Sequence, residues 1–144
     1  MEETYLTKAL VLKREAYREF DGRVLVYSQD KGKLDLVARG MLRPGSKLAA
    51  HLEPITLINL MVIKGKNRDY VGSAIGLDSY ARIKADVNRI YYVGLAWNLF
   101  NRLVHWEHED QVLFALLVDF LDAISESVEP AGLYQIFSLR LIAI

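Results

Sequence analysis

Apolar and polar residues alternate through the first half of the chain in the pattern of β-strands. This period of two, together with β-branched and aromatic residues, predicts strands over residues 5–13, 24–27, 34–38, 55–63 and 70–77. Residues 30–33 are typical of a tight turn between antiparallel neighbours, and residues 41–52 predict a loop and a short helix. Gly72 and Gly76 fall inside the fifth strand, where they indicate bulges or close packing.

The order of these elements is that of a small β-barrel. Three strands, a short helix and two more strands within about 75 residues match the five-stranded oligonucleotide/oligosaccharide-binding (OB) barrel. Other small barrels share this order, and the pattern alone leaves them open. We therefore predict a barrel domain over residues 1–78.

From about Ser79 onward, apolar residues recur at helical spacing. They predict amphipathic helices over residues 90–104 and 113–124, and a third helix that begins at Pro130, a residue suited to a first helical turn. Glu109 and Asp110 precede the second of these helices, where a carboxylate suits the positive end of the helix dipole.

The predicted fold class is therefore α+β, with an OB-type barrel followed by an α-helical bundle over residues 79–144. The third helix reaches Ile144 with its apolar pattern unfinished and with neither a glycine cap nor a closing cation. We expect a partner subunit to cover this helix, or the helical domain to be truncated at its C-terminus.

Charge is distributed unequally between the two halves of the sequence. The whole chain has a formal net charge of zero, which by itself points to neither an acidic nor a basic partner. Residues 1–80 carry 13 Lys and Arg against 10 Asp and Glu, whereas residues 81–144 carry 5 against 8. The two halves of the chain therefore differ in kind, the first with a net charge of +3 and the second with −3.

Cations cluster in three polar segments of the predicted barrel. OB barrels bind oligonucleotides on the face of strands two and three and along the loops that join strands one to two and four to five. Both loops are basic here, and a third basic segment lies between strands three and four. The candidate DNA contacts are Arg14, Arg18 and Arg23 in the first loop, Arg39, Arg43 and Lys47 after strand three, and Lys64, Lys66 and Arg68 in the second loop.

Tyr17 and Phe20 lie between the cations of the first loop, where they are candidate platforms for base stacking. Cations for phosphates interleaved with rings for bases are what sequence-tolerant single-strand binding requires. The alternative is an ordinary charged loop, in which the two rings pack the loop itself. In that case the nearby acids largely offset the cations; they are Glu15, Glu19, Asp21 and Asp69.

The sequence carries no motif of an enzyme. Its lack of cysteine excludes disulfides, thiolate metal ligands and cysteine nucleophiles within these residues. Residues 45–47 have the components of a phosphate-binding loop in the wrong order, and neither a serine elbow nor an acid–base carboxylate pair stands out. His105 and His108 stand beside Glu107 and Glu109, but a solvated helix end explains them better than a metal site does. We predict no catalytic residue, no metal and no cofactor.

Aromatic residues are concentrated on one face of the predicted helices. They are Trp97, Phe100, Trp106, Phe114 and Phe120. Such a face forms either the core of the helical domain or a groove for an apolar partner peptide. His51 has no evident partner and is expected at the surface. The N-terminus lacks the layout of a signal peptide and no apolar run reaches about 18 residues, so we expect a soluble, cytoplasmic protein.

Several stretches of the sequence resemble the bacterial RecO recombination mediators. Residues 9–25, with Tyr17, Glu19 and Asp21 at alternate positions, are similar to the opening of that family. Residues 31–40 and 43–50 resemble its most recognisable stretch, which continues through residues 53–57, and residues 137–141 resemble one of its helices. The likeness covers essentially the whole chain and is least specific in the helices.

The resemblance implies a non-enzymatic mediator of DNA repair and recombination. Such a protein binds single- and double-stranded DNA, promotes strand annealing and helps to load RecA on DNA coated with single-strand-binding protein. The implied partners are DNA, RecR, the RecA pathway and the C-terminal tail of single-strand-binding protein, which would dock on the helical domain. The implied place of action is the bacterial nucleoid. A protein-interaction module that captures a partner peptide, with little DNA affinity of its own, is the alternative.

The sequence departs from the family pattern in two respects. Many members carry Pro-Lys-Ser where this chain has Pro44, Gly45 and Ser46, which removes one cation. Members also continue beyond the last helix, in many cases with a four-cysteine zinc site, which would here lie beyond Ile144.

Overall fold

The computed structural model describes residues 3–105 and 110–144 of the chain. Contacts divide the molecule into two compact units, Met1–Ser79 and Tyr80–Ile144. The five strands lie in the first unit, and the helices after residue 80 lie in the second.

The first unit is a closed barrel. Its elements are β1 (Glu3–Ala16), β2 (Gly22–Ser28), β3 (Gly32–Ala38), α1 (Leu48–His51), β4 (Leu57–Lys64) and β5 (Asp69–Asp78). The strands follow the order β1-β2-β3-β5-β4, and β4 pairs with β1 to complete the ring. Neighbouring strands are antiparallel except for β3 and β5, which are parallel. The predicted fold class, an OB-type barrel followed by helices, is confirmed.

The barrel interior is filled by alternate residues of its strands, as the period of two predicts. Val24 and Val26 of β2 are fully buried there, in the same core cluster as Leu60 and Val62 of β4. Full burial of one such side chain stabilises the fold by about 1.5–3 kcal/mol. Because successive residues point to opposite faces, Arg23 and Leu25, which flank Val24, point to the outer face of the barrel and are only half-buried.

The fourth strand begins two residues later than the sequence predicts. Ile55 has a φ of 59°, which lies in the left-handed region and cannot continue a strand. The segment is nevertheless held against β1, because the Ile55 N–H donates to the Val11 carbonyl at 2.9 Å and the Val11 N–H donates to the Thr56 carbonyl at 3.0 Å. Regular pairing starts at Leu57.

Two irregularities interrupt the pairing of β5 with β4, at the glycines that the sequence singled out. The register shifts beside Gly72 and again beside Gly76, so the predicted bulges are confirmed. A Cβ on Gly72 would lie 2.5 Å from the Met61 Cε atom, which shows how closely the neighbouring strand approaches. The Gly76 N–H donates to His51 Nδ1 at 3.0 Å. The prediction of a surface His51 without a partner was therefore wrong. The bulge leaves the Gly76 N–H outside the regular strand pairing, and the half-buried His51 imidazole accepts its hydrogen bond.

The second unit consists of helices. They are α2 (Ala81–Lys84), α3 (Val87–Leu103), α4 (Gln111–Glu126) and α5 (Pro130–Ala143). The three long helices match the predicted ones, and Pro130 occupies the first turn of α5 as expected. The short helix α2 was not predicted, since four residues carry too little periodicity to be recognised.

Side chains at the helix ends satisfy backbone groups of the second unit. Asp110 caps α4 by accepting from the N–H groups of Val112 and Leu113 at 2.9 and 3.2 Å, as its place in the sequence suggested. Glu109, the other carboxylate of that prediction, lies outside the described residues. Arg89 of α3 donates to the carbonyls of Ile124 and Ser127 at the end of α4, at 2.9 and 2.8 Å.

The aromatic face of the helices forms the core of the second unit. Trp97, Phe100, Phe114 and Phe120 are buried, and the ring centroids of Phe120 and Phe137 lie 4.5 Å apart. Trp106 lies outside the described residues. So do Glu107, His108 and Glu109, three of the four side chains that the sequence analysis weighed as metal ligands. In the parts of the chain that the structure describes, no helix is long and apolar enough to cross a membrane.

Candidate nucleic-acid interface

The β1–β2 loop is fixed to the segment that follows β3. The Tyr17 N–H donates to the Asp21 carbonyl at 2.9 Å and closes the loop. The Asp21 carboxylate accepts the Gly40 N–H at 2.8 Å, and the Leu42 N–H donates to the Phe20 carbonyl at 2.9 Å. The first predicted basic segment, in the β1–β2 loop, and the second, after β3, are therefore joined by hydrogen bonds.

The β4–β5 loop joins the other two segments through arginine–aromatic contacts. The guanidinium carbon of Arg68 lies 4.9 Å from the centre of the Tyr17 ring, and that of Arg39 lies 4.2 Å from the centre of the Tyr70 ring. The parallel pairing of β3 with β5 explains the second contact, because it places Val37 beside Tyr70. We call the joined segments, residues 17–23, 39–47 and 64–70, the basic edge of the barrel.

The two rings predicted as stacking platforms are in contact with cations of the protein itself. Tyr17 has the guanidinium groups of Arg18, Arg23 and Arg68 within 6 Å of its ring centre, at 5.1, 5.9 and 4.9 Å. Phe20 has Arg43 at 4.6 Å. Contacts at these distances are favourable cation–π interactions, so in the free protein both rings organise the basic edge.

Two of the nine candidate cations have strong partners within the barrel. Arg14 donates to the carbonyl of Ala49 at 2.7 Å. Arg23 lies on β2, where both oxygens of Asp35 accept from its guanidinium group, and Glu15 lies 3.6 Å away. The hydrogen bond and the charge of Asp35 raise the pKa of Arg23 above its ordinary value. The charge of Arg23 is thus largely offset.

The other seven candidate cations project from the basic edge. Arg68 is half-buried and the rest are exposed: Arg18, Arg39, Arg43, Lys47, Lys64 and Lys66. In the described part of the barrel, none of these seven forms an ion pair with a carboxylate. Two of the acids expected to offset them are held by backbone amides instead, since Asp21 accepts from Gly40 and Asp69 accepts from Gly65 at 3.3 Å.

A cleft of about 410 Å³ opens in the basic edge beside the β4–β5 loop. Arg39, Lys64, Lys66 and Tyr70 supply its polar lining, and Gly65 also lines it. A Cβ on Gly65 would stand 2.2 Å from the Arg68 carbonyl oxygen and 3.1 Å from the Tyr70 ring, so this loop conformation requires glycine. Tyr70 follows the second basic loop in the sequence but is not among the predicted site residues. The pairing of β3 with β5 in an OB barrel is the signal that could have indicated it.

Comparison of the sequence with known proteins identifies its family. The model of the family described as "Recombination protein O N terminal" matches residues 1–80. The chain belongs to the RecO family. Residues 1–80 include the whole barrel and every side chain of the basic edge.

Curated RecO relatives extend the similarity into the helical unit. The DNA repair protein RecO of Heliobacterium modesticaldum is 33% identical over 139 residues, which cover 96% of this chain and 50% of the relative. The RecO protein of Roseiflexus sp. is 33% identical over 121 residues, covering 84% of this chain and 42% of the relative. That of Halalkalibacterium halodurans is 27% identical over 137 residues, covering 95% and 54%. The chain spans about half the length of the curated relatives that it matches.

Proposed function

We propose that this chain is the DNA-binding part of a non-enzymatic repair and recombination mediator, and that residues 1–78 bind DNA along the basic edge. The observation that carries the proposal is the convergence of three basic segments on one edge of an OB-type barrel, where seven cations have no carboxylate partner among the described residues. Membership of a family whose curated members are named DNA repair proteins supports it.

The exposed cations of the edge suit binding to the sugar–phosphate backbone. Lysine and arginine contacts to phosphates hold a strand without reading its sequence, because the phosphates are the same at every nucleotide. A strand held in this way keeps its base edges free for pairing with a second strand, which is what annealing requires. We propose that the chain binds single strands most readily and that the same cations contact the phosphates of double-stranded DNA.

We assign partner binding to residues 79–144. Between α4 and α5 the structure has an apolar groove of about 170 Å³, lined by Leu116, Phe120, Leu133 and Ile136, with Asp119 and Arg140 as its charged lining residues. The apolar lining suits the apolar end of the tail of single-strand-binding protein, and Arg140 offers a cation to the acidic residues of that tail. The proposed mediator would act in the bacterial nucleoid together with RecR. By binding the tail of single-strand-binding protein, it would reach the DNA that this protein coats and would help to load RecA there.

Salt titration of single-strand binding tests the DNA proposal. Neutralising about 4 to 6 phosphates predicts a slope of log affinity against log salt of about −3 to −4 for single strands. Fluorescence anisotropy with labelled oligonucleotides of several sequences measures it, and the affinities should be alike across sequences. A slope near zero, or no binding at low salt, would contradict the proposal.

A double substitution locates the binding surface. Arg39→Ala with Arg43→Ala should weaken binding to all sequences alike and make the slope shallower by about 1.4, since each lost phosphate contact removes about 0.7. Arg82→Ala with Arg102→Ala removes the same charge from exposed positions of the helical unit and serves as the matched control. Equal effects of the two pairs would place the binding outside the basic edge.

The groove between α4 and α5 supports the second candidate function, a peptide-binding module with little DNA affinity of its own. Titration with a short acidic peptide that ends in apolar residues distinguishes the two functions. Tight peptide binding that is lost in Ile136→Ser, together with no DNA binding at low salt, would favour the second candidate.

A further inference from the structure

We propose that the cleft between Arg39, Tyr70, Lys64 and Lys66 is a binding subsite for one nucleotide, in which a base stacks on the Arg39–Tyr70 pair and its phosphate lies between the two lysines. The subsite rests on the proposed DNA function and deepens it. It moves the stacking platform from the rings that the sequence suggests, Tyr17 and Phe20, to a ring on β5.

The first support is the contrast between the two tyrosines of the basic edge. Tyr17 has three guanidinium groups around its ring, which join the β1–β2 and β4–β5 loops. Among the described residues Tyr70 has one cation contact, Arg39, and it lines an open cleft. Tyr70 therefore has room for a ligand beside it, whereas three cations of the protein already surround the Tyr17 ring.

The second support is the geometry of the Arg39–Tyr70 pair. The guanidinium carbon of Arg39 lies 4.2 Å from the centre of the Tyr70 ring, a favourable cation–π contact, and both planar groups can stack on a nucleobase. Because this contact already favours one position of the Arg39 side chain, less side-chain entropy is lost when a base binds.

The third support is the charge and the size of the cleft. Lys64 and Lys66 flank Gly65 on the loop, and both are exposed cations without a carboxylate partner in the described residues. Asp69, the first residue of β5, accepts the Gly65 N–H at 3.3 Å. A volume of about 410 Å³ is in the range of small-molecule sites, which suits one nucleotide of a strand whose neighbours continue along the basic edge.

Two oligonucleotides of equal charge separate stacking from phosphate binding. The probes are a labelled 12-nucleotide oligo(dT) and an abasic 12-mer with the same phosphates but no bases, both titrated against the full chain at low salt. Tyr70→Leu should weaken binding of oligo(dT) about 5- to 150-fold, the range for loss of one base–aromatic stack, and leave the abasic affinity unchanged. Tyr70→Phe, which keeps the ring, should bind both probes like the unaltered chain.

Two further variants keep the inference testable if Tyr70→Leu does not fold. Arg39→Lys keeps the charge at an exposed position but loses the planar group, so it should weaken oligo(dT) binding and spare the abasic probe. Lys64→Gln with Lys66→Gln should weaken both probes equally and make the salt slope shallower by about 1.4.

The outcomes separate the subsite from the proposed function. If the unaltered chain binds both probes, but Tyr70→Leu and Arg39→Lys lower the two affinities equally or not at all, the subsite is overturned and DNA binding stands. If the unaltered chain binds neither probe at low salt, the proposed DNA function is overturned and the subsite with it.

Discussion

Asp21 provides the sharpest test of how the basic edge is held together. Among the described residues, only the Asp21 side chain forms a hydrogen bond between the β1–β2 loop and the segment after β3. Its carboxylate accepts the Gly40 N–H at 2.8 Å. A hydrogen bond to a charged acceptor contributes about 1.5–3 kcal/mol, and its removal leaves the amide without its acceptor. Asp21→Ala should therefore destabilise the barrel by about 1.5–3 kcal/mol, although it removes a negative charge from a basic surface.

Native-state hydrogen exchange measures this loss within the barrel alone. At about 1.36 kcal/mol per factor of ten, amides of β2 and β4 that exchange through barrel unfolding should exchange about 10- to 150-fold faster in Asp21→Ala. Asp21→Asn keeps an oxygen acceptor, and a neutral hydrogen bond contributes about 0.5–1.5 kcal/mol, which is about 1–1.5 kcal/mol less than the charged one. It should therefore accelerate exchange only about 5- to 13-fold. Tryptophan fluorescence would not serve, because both tryptophans lie after residue 80.

Asp30 supplies the matched control for the loss of charge. It is an exposed carboxylate in the β2–β3 turn, at the opposite end of β2 from the basic edge. If Asp30→Ala and Asp21→Ala accelerate the same amides equally, general electrostatics and not the link to Gly40 determines the stability, and the reasoning is refuted.

Three further predictions follow from internal contacts. Arg23→Ala should leave the DNA salt slope unchanged, whereas Arg39→Ala should make it shallower by about 0.7; equal slopes would show that carboxylate pairing does not withdraw Arg23 from DNA. Arg89→Ala loses two hydrogen bonds to backbone carbonyls and should lower the stability of the helical unit by about 2–3 kcal/mol. Arg82→Ala, which removes an exposed ion pair, should lower it by at most about 1 kcal/mol. Urea unfolding followed by indole fluorescence measures both. Burial and the charge of a nearby carboxylate raise the pKa of Tyr5, so the unfolded chain loses this proton at lower pH than the folded chain, and the stability of the barrel should fall as the pH rises above 10. Tyr5→Phe should remove that part of the loss of stability, as measured by unfolding at pH 9 and 11. An equal loss in Tyr5→Phe and in the unaltered chain would contradict this prediction.

The fold could be predicted from the sequence because its signals are local. Alternation of apolar residues located the strands, helical spacing located α3, α4 and α5, and Pro130 and Asp110 marked two helix starts. The errors fall where the backbone leaves regular geometry. Ile55 and Tyr80 have positive φ values, 59° and 49°, and neither β-branched nor aromatic side chains signal that conformation.

The candidate site could be predicted only as a set of charges. Arg23 and Arg39 are both candidate DNA contacts by their positions in the sequence. In the structure Asp35 neutralises the charge of Arg23, whereas Arg39 lies over the Tyr70 ring and has no ion pair in the described residues. The pairing of Arg23 with Asp35 follows from the register of β2 with β3, and a shift of one residue would turn one of the two side chains to the other face.

The sequence by itself determined which segments become strands and helices, where the cations lie along the chain and to which family it belongs. Each of these properties depends on neighbouring residues, on composition or on similarity. Only the tertiary structure decided which cations face solvent, that Asp21 and Asp69 are held by backbone amides, and that Tyr70 lies beside Arg39 in a cleft. The Asp21–Gly40 contact joins residues 19 positions apart, and Arg39 and Tyr70 are further apart still. The closure of the barrel, through its registers and its parallel β3–β5 pair, is what brings these residues together.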